Sequence, residues 1–98
     1  MNFFRLRYNA SFLRAAKKIF LKNPQISKKV QHTLEIIKQD PFYNSLNSHK
    51  VCTLKYGISY SARVTGDLRI LWDYSQNEVQ VLDILDIGGH SGKNKVYN

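Results

Sequence analysis

The sequence predicts an α+β domain in which a pair of helices covers one face of a small antiparallel sheet. Two observations carry this prediction. Between Phe12 and Ile37 the apolar residues recur at helical spacing, whereas from about Val51 onward they alternate with polar residues or form short β-branched runs. A helix pair with one apolar side needs another surface to cover it, so we expect the two halves to share one core.

The first half of the chain predicts a strand followed by two helices. Phe3 to Tyr8 has the length and composition of a short strand, and Asn9-Ala10-Ser11 supplies a capping signal for the first helix. Asn23 is expected to cap the second helix with Pro24 at its first position, and Asp40-Pro41 ends it. The expected buried stripes are Phe12, Ala16, Ile19 and Phe20 in the first helix and Ile26, Val30, Leu34 and Ile37 in the second.

The second half predicts three strands, or four if one of them breaks, so that the first strand and the helix hairpin are followed by an antiparallel sheet of three to four strands. They are expected near Val51 to Val64, with a break at Gly57 as an alternative, then at Leu68 to Tyr74 and at Val79 to Ile87. The sequence also predicts the register of one hairpin. If 65–67 is its loop, Val64 faces Leu68 on the core side.

The same register places Arg63 directly opposite Arg69 on the face without helices. Like charges in direct cross-strand contact are unfavourable, so the pair indicates an anion bound between or above the two side chains. The alternative is that two solvated arginines simply cap an exposed sheet face. The pattern alone leaves both interpretations open.

Composition limits the classes of function. The 98 residues are 43% hydrophobic, which suits one domain spanning 1–98. The net charge of +8 favours phosphate or an acidic protein as a partner. The lone Cys52 offers neither an intrachain disulfide nor a metal-ligand spacing, and we expect it to be a small buried hydrophobe. Arg5 and Arg7 interrupt the first apolar run, so we expect no signal peptide, and no apolar stretch is long enough to predict a membrane span. We therefore expect a cytoplasmic protein. We also expect neither a metal nor a cofactor.

Several segments in a fixed order resemble the RelE/ParE superfamily of bacterial toxins, and the chain is most similar to its RelE/YafQ type. The resemblance covers nearly the whole sequence. It is carried by the helix pair closing in Asp40-Pro41, the segment from Leu46 to Lys50, Tyr60-Ser-Ala-Arg-Val64, Asp67-Leu-Arg-Ile-Leu-Trp72, and Asp86-Ile-Gly-Gly-His90 ahead of Val96-Tyr97.

The resemblance implies the toxin of a type II toxin–antitoxin system, acting as a ribosome-dependent mRNA endonuclease (mRNA interferase). The implied partners are a cognate antitoxin, the ribosome, mRNA in the ribosomal A site, and operator DNA only through the antitoxin complex. ParE-type members of the superfamily instead inhibit DNA gyrase, so the fold does not decide the activity. A basic sheet face that only binds, or an inactive toxin remnant, are the other interpretations.

Cleavage of RNA by its own 2′-hydroxyl requires proton transfers and a neutralised phosphate. Arginine suits the phosphate, and histidine suits the protons, which points to His49 and His90, while His32 is expected on a helix exterior.

The resemblance implies a role for individual residues. His49 and His90 match histidines of YafQ-type toxins, with Gly89 in place of a threonine, and Asp67 matches a functional aspartate. Arg69 matches an arginine that RelE-type toxins use on the phosphate, whereas Ser59 and Ser61 replace lysines of that type. The candidate catalytic residues are therefore His49, Arg63, Asp67, Arg69, His90 and Tyr97, the last matching a base-stacking tyrosine, and the candidate RNA-binding residues are Lys50, Lys55, Lys93 and Lys95.

Overall fold

The computed structural model describes residues 3–89 of the chain. Two helices lie on one face of a twisted five-stranded sheet, which confirms the predicted α+β class. In chain order the elements are β1 (Arg5–Tyr8), α1 (Ala10–Lys22), α2 (Ile26–Gln39), a 3₁₀ turn (Asn44–Leu46), β2 (His49–Thr53), β3 (Gly57–Arg63), β4 (Leu68–Tyr74) and β5 (Val81–Gly89). Neither helix in this part of the chain has the length and apolar character needed to cross a membrane.

The sheet has more strands than predicted and is mixed. Its strand order is β1-β5-β4-β3-β2. Strands β2 to β5 are antiparallel, as expected, but β1 adds to the edge of β5 in the parallel direction, with Arg5 opposite Val81. The extra strand is β1, which joins the four antiparallel strands. The segment expected near 51–64 divides at Gly57, the predicted alternative, because the glycine's φ of 66° reverses the chain where a side chain would be strained.

The helix boundaries follow the sequence signals at three of the four ends. Asn9 is the N-cap of α1 in an extended conformation, and the backbone of Asn23 and Asp40 closes the last turn of each helix. The prediction for the start of α2 was wrong. Pro24 lies in a turn in which Ile26 N donates to Asn23 O (3.1 Å), so the regular helix begins two residues after the proline.

The hydrophobic core lies between the helices and the sheet. Phe12, Ala16 and Ile19 are buried on α1, as predicted, whereas Phe20, Ile26 and Leu34 are only partly buried. The sheet contributes side chains from the central strands that are almost fully buried, namely Ala62, Ile70, Trp72, Leu82, Ile84 and Ile87. Cys52, expected to be buried, is exposed because β2 is the edge strand, beyond the helices.

Strand β5 has apolar residues at both odd and even positions because an extra residue shifts the alternation of its side chains between the two faces. Ile87 pairs with Ile70, but Ile84 pairs with Trp72, so Leu85 is an additional residue between two core positions. The irregularity returns Ile84 and Ile87 to the same face although they are three residues apart. It thereby also places Asp83 and Asp86 on the opposite face of the sheet.

An ion cluster fastens β1 to the start of β5. Arg7 Nε donates to Asp83 Oδ1 at 2.7 Å, and Glu78 lies 3.3 Å from Arg7 Nη1 and 3.2 Å from Arg5 Nη2. The hydrogen bond and charge of Asp83 raise the pKa of Arg7. Asp83 therefore has a structural role, because its contact with Arg7 holds the edge strand β1 in register with β5.

Candidate active site

The site is built on the sheet face opposite the helices, here called the distal face. Arg63 on β3 pairs directly with Arg69 on β4, as the three-residue loop predicts. The backbone N–H of Val64 donates to Leu68 O at 2.9 Å, which confirms that these two residues close the turn. Because paired residues share a face, both arginine side chains project from the distal face, and their Cβ atoms lie about 5 Å apart.

The two arginines differ in how firmly they are held. Arg69 is half-buried, and its Nη1 and Nη2 donate to the carbonyl oxygens of Thr65 and Gly66, both at 3.3 Å. Arg63 is exposed, and within residues 3–89 its side chain makes no hydrogen bond or ion pair. Arg69 is thus oriented by its own turn with other N–H groups still available, whereas Arg63 is able to move toward a bound anion.

The turn between β3 and β4 is itself ordered by a side chain. Thr65 Oγ1 accepts a hydrogen bond from Leu68 N at 3.0 Å, and Thr65 N donates to Leu68 O at 3.2 Å. Asp67 lies in this turn and is exposed. A carboxylate at the end of the arginine hairpin balances part of its charge, so the position suits both the structural and the functional role expected of Asp67.

His49 is the first residue of β2 and is exposed on the distal face, since it pairs with Ser61. Its Nδ1 lies 2.8 Å from Asn47 O. A carbonyl oxygen only accepts hydrogen bonds, so Nδ1 must carry the proton, and in the neutral ring Nε2 keeps a free lone pair. Asn47 has a φ of 48°, a left-handed conformation that asparagine tolerates, and this turn directs its carbonyl at the imidazole.

The register brings His49 and the arginine pair together. His49 is opposite Ser61, and Arg63 follows Ser61 by two residues on the same face of β3. Diagonal neighbours of this kind have Cα atoms about 7 to 8 Å apart. At that distance one phosphodiester fits between the two side chains and can contact both the histidine and the arginine. The structure therefore places a proton acceptor and two cations on three adjacent strands.

The floor beneath these groups is buried and largely uncharged. Ser59 and Ser61 are each 1% exposed, and Leu71, which pairs with Ser61, is fully buried. The distal face is thus less open than expected around its centre, and its cations stand at the rim. Serines stand at positions 59 and 61 where a lysine would add charge, so among residues 3–89 the cations of this part of the face are Arg63 and Arg69.

A contact that the sequence does not reveal closes part of the distal face. The hydroxyl of Tyr56, in the β2–β3 turn, donates to Asp86 Oδ2 at 2.8 Å and lies 3.3 Å from Leu85 O. The neighbouring Lys55 lies 3.2 Å from Ser11 Oγ on α1. These contacts join a turn near one edge of the sheet to β5, two strands away, so the β2–β3 hairpin must curl over the sheet.

The predicted RNA-binding lysines are not all on this face. Lys50 pairs with Tyr60 and lies on the helix-bearing face, away from His49. Lys55 lies at the hairpin tip, 5.3 Å from the centre of the Tyr56 ring. His90, Lys93, Lys95 and Tyr97 lie outside the described residues. Residues 3–89 hold no group of three or more His, Cys, Asp or Glu side chains arranged to bind a metal ion.

Comparison with solved structures identifies the fold. No protein-family model matches the sequence, and no curated protein is significantly similar to it. The YoeB/ParE toxin from Agrobacterium tumefaciens superimposes with a TM-score of 0.71 at 16% identity, over 89% of this chain and 99% of that one. YafQ from E. coli gives 0.67 at 14% identity, over 86% and 90%. The chain has the fold of these toxins.

Two further structures extend the comparison. A Helicobacter pylori protein, HP0894, superimposes with a TM-score of 0.62 at 18% identity, over 89% of this chain and 94% of that one. YafQ in the E. coli DinJ–YafQ toxin–antitoxin complex gives 0.66 at 14% identity, over 87% and 90%. The fold predicted from the sequence resemblance is therefore confirmed, and the DinJ–YafQ complex is a case in which this fold binds an antitoxin.

Proposed function

We propose that the protein is the toxin of a type II toxin–antitoxin system and that it cleaves mRNA on the ribosome. The observation that carries the proposal is the placement of His49 beside the Arg63–Arg69 pair on one sheet face. A surface used only to bind an acidic partner needs the cations but not a histidine with a fixed tautomer. The fold shared with the YafQ and YoeB/ParE toxins supports the same function.

The proposed reaction begins with RNA lying across the rim of the distal face. Nε2 of His49 accepts the proton of a ribose 2′-hydroxyl, and the 2′-oxygen attacks the adjacent phosphorus. The bond to the 5′-oxygen breaks, leaving a 2′,3′-cyclic phosphate and a 5′-hydroxyl. The departing 5′-oxygen takes up a proton, for which His90 is the candidate donor from the sequence. The scheme consumes no metal ion and no cofactor.

The arginines act on the phosphate in this scheme. Negative charge accumulates on the non-bridging oxygens as the 2′-oxygen attacks, and a positioned donor to such an oxygen is typically worth roughly 3 kcal/mol of transition-state stabilisation. Arg69 is the oriented donor because Thr65 and Gly66 hold it. Arg63, free of side-chain bonds in the described region, supplies a second, mobile charge.

Primer extension on a reporter mRNA after brief expression tests the proposal. Discrete cuts within translated codons, absent from an Arg69→Ala culture at equal protein level, are the expected result. Intact mRNA accompanied by gyrase-linked DNA breaks would instead assign the protein to the ParE-like gyrase inhibitors. That second function is kept because the fold matches a structure described as a YoeB/ParE toxin.

The proposed regulator is a cognate antitoxin of negative charge. The chain carries +8, and the exposed side of α1 bears Arg14, Lys17, Lys18 and Lys22 with no acidic residue in that helix. Association should slow as salt rises, since screened charges attract less over distance. Stopped-flow binding at increasing salt measures this, and a rate independent of salt would contradict the electrostatic account.

A further inference from the structure

The helix-bearing face of the sheet is not fully covered. At its β2–β3 end, Cys52 pairs with Ile58, and both side chains point to the side on which the helices pack. Ile58 is nevertheless 66% exposed and Cys52 is exposed. A β-branched residue on the core side of an inner strand is normally buried, so this end of the face lacks a covering element within residues 3–89.

Aromatic rings continue the uncovered surface toward the core. Phe42, in the loop after α2, contacts Tyr60 edge-on with ring centres 5.4 Å apart, and Tyr74 contacts Tyr60 in the same way at 5.9 Å. Phe42 is 48% exposed and Tyr74 41% exposed. We call Phe42, Cys52, Ile58, Tyr60 and Tyr74 the aromatic patch. It is a contiguous apolar surface beside the edge of the sheet, rather than a set of scattered exposed residues.

The edge next to this patch has unpaired backbone groups. β2 is the last strand in the sheet order, and it pairs only with β3. Among residues 3–89 no backbone group bonds to the outer side of His49–Thr53. Alternate residues of such a strand direct their N–H and C=O groups outward, which makes β2 a template for an added strand.

Charge decides between a second copy and a different protein as occupant. Lys50 is exposed on β2 and lies on the same side as Cys52, two residues along the strand. Pairing two copies edge to edge would bring their lysines together on molecules that each carry +8. An acidic segment meets the same edge with attraction instead of repulsion.

We propose that an extended acidic segment of a partner protein adds to β2 as a further strand and covers the aromatic patch. Side chains alternate between the two faces of a strand, so every second residue of the segment faces the aromatic patch. Those residues must be apolar where they contact Cys52, Ile58 and Phe42, and acidic near Lys50. The proposal rests on the proposed function only for the identity of that partner, the antitoxin. The apolar side of the segment lies on the face opposite His49, while its other side chains lie on the distal face at the edge beside His49.

Hydrogen exchange on the complex of the unsubstituted protein tests the added strand directly. The antitoxin probe is the product of the neighbouring reading frame, co-purified with the toxin. Alternate amides of His49–Thr53 should exchange at least 10-fold more slowly in the complex than in the free protein. Unchanged exchange along β2, or failure of that product to bind, would overturn the proposal.

A charge substitution tests the patch. Ile58→Glu should weaken antitoxin binding by at least 10-fold and abolish rescue of growth, while toxicity and the melting temperature stay as in the unsubstituted protein. Val79→Glu is the matched control, because Val79 is also β-branched, is 88% exposed, lies outside α1 and β2, and receives the same charge. If Val79→Glu loses rescue and Ile58→Glu keeps it, the partner docks elsewhere and the proposal fails.

Two other occupants give different results in the same series. A dimer of the free protein that Ile58→Glu converts to a monomer would identify a second copy as the occupant, and RNA binding lost in Ile58→Glu would identify a nucleic acid. Either result overturns the assignment. Intact mRNA with the unsubstituted protein would remove the proposed nuclease, while exchange along β2 would still decide the present proposal.

Discussion

Arg63 and Arg69 lie directly opposite each other on β3 and β4, yet among the contacts within residues 3–89 only Arg69 is fastened, by two hydrogen bonds to the carbonyls of its own turn. The pair therefore combines one charge in a fixed orientation with one that is able to adjust. This asymmetry separates the consequences of changing each residue for stability and for activity.

Arg69→Ala should lower the rate of the proposed mRNA cleavage by roughly 10²-fold or more, because it removes the residue proposed as the oriented phosphate donor. It should also cost about 1 kcal/mol of unfolding free energy, since the bonds to Thr65 and Gly66 are lost. Single-turnover cleavage and urea unfolding measure the two effects. Arg63→Ala is the control, with slower cleavage expected but no change in the urea midpoint. Wild-type toxicity of Arg69→Ala at equal expression would contradict the phosphate role.

His49→Gln should reduce the cleavage rate by roughly 10²-fold while RNA and ribosome binding stay nearly unchanged, because a proton acceptor acts on the transition state more than on ground-state affinity. His32→Gln is the matched control, since His32 is exposed on α2, away from the distal face. Single-turnover rates and binding isotherms for the two variants decide the assignment. Equal cleavage by both variants would remove His49 from the reaction.

Tyr56→Phe should destabilise the fold by about 1 to 2 kcal/mol, because Asp86 loses a hydrogen bond at 2.8 Å in a partly buried setting. The change leaves the ring in place, so the loss reports the hydroxyl alone. Tyr43→Phe is the control, since Tyr43 is 53% exposed. Urea unfolding of both variants gives the comparison, and equal midpoints would show that the curled hairpin does not depend on this bond.

Stability should fall as the pH rises above about 10. Burial raises the pKa of Tyr8 and of Tyr74 above their ordinary 10.0. The unfolded chain then releases these protons at lower pH than the folded chain, so it binds fewer protons and is favoured as pH rises. The stabilisation is complete below the unfolded pKa and is lost as pH passes the folded one. Unfolding curves across the alkaline range test this, and Tyr74→Phe should flatten the decline.

Local sequence signals predict the hairpin between β3 and β4 well. A loop of three residues and the alternation on both arms allow one register that keeps Val64 and Leu68 in the core, and that register is observed. The same reasoning places Arg63 and Arg69 on one face of the sheet, whereas His49, expected in the loop before a strand near Val51, is the first residue of β2. The alternation of apolar and polar residues along a strand is a local pattern, so it directly predicts the face of the sheet on which each side chain lies.

Long-range partners are not encoded in this way. Nothing near Arg5 specifies that its strand joins β5 in the parallel direction, and the bulge at Leu85 that sets the phase of that strand leaves only an ambiguous apolar run. The contact between Tyr56 and Asp86 depends on the curl of the whole sheet. Lys50, a candidate RNA-binding residue, follows His49 directly in the sequence, but adjacent residues of a strand face opposite sides.

The position of β5 bears on when a newly made molecule becomes able to act. Within residues 3–89 it is the final strand, and it lies between β1 and β4 and supplies Leu82, Ile84 and Ile87 to the core beneath α1. A nascent chain that has not yet delivered β5 therefore has neither a partner for its first strand nor a complete surface for its first helix. Closure of the core must wait until β5 has been made, and the arginine hairpin, whose β4 arm pairs with β5, matures no earlier than that strand.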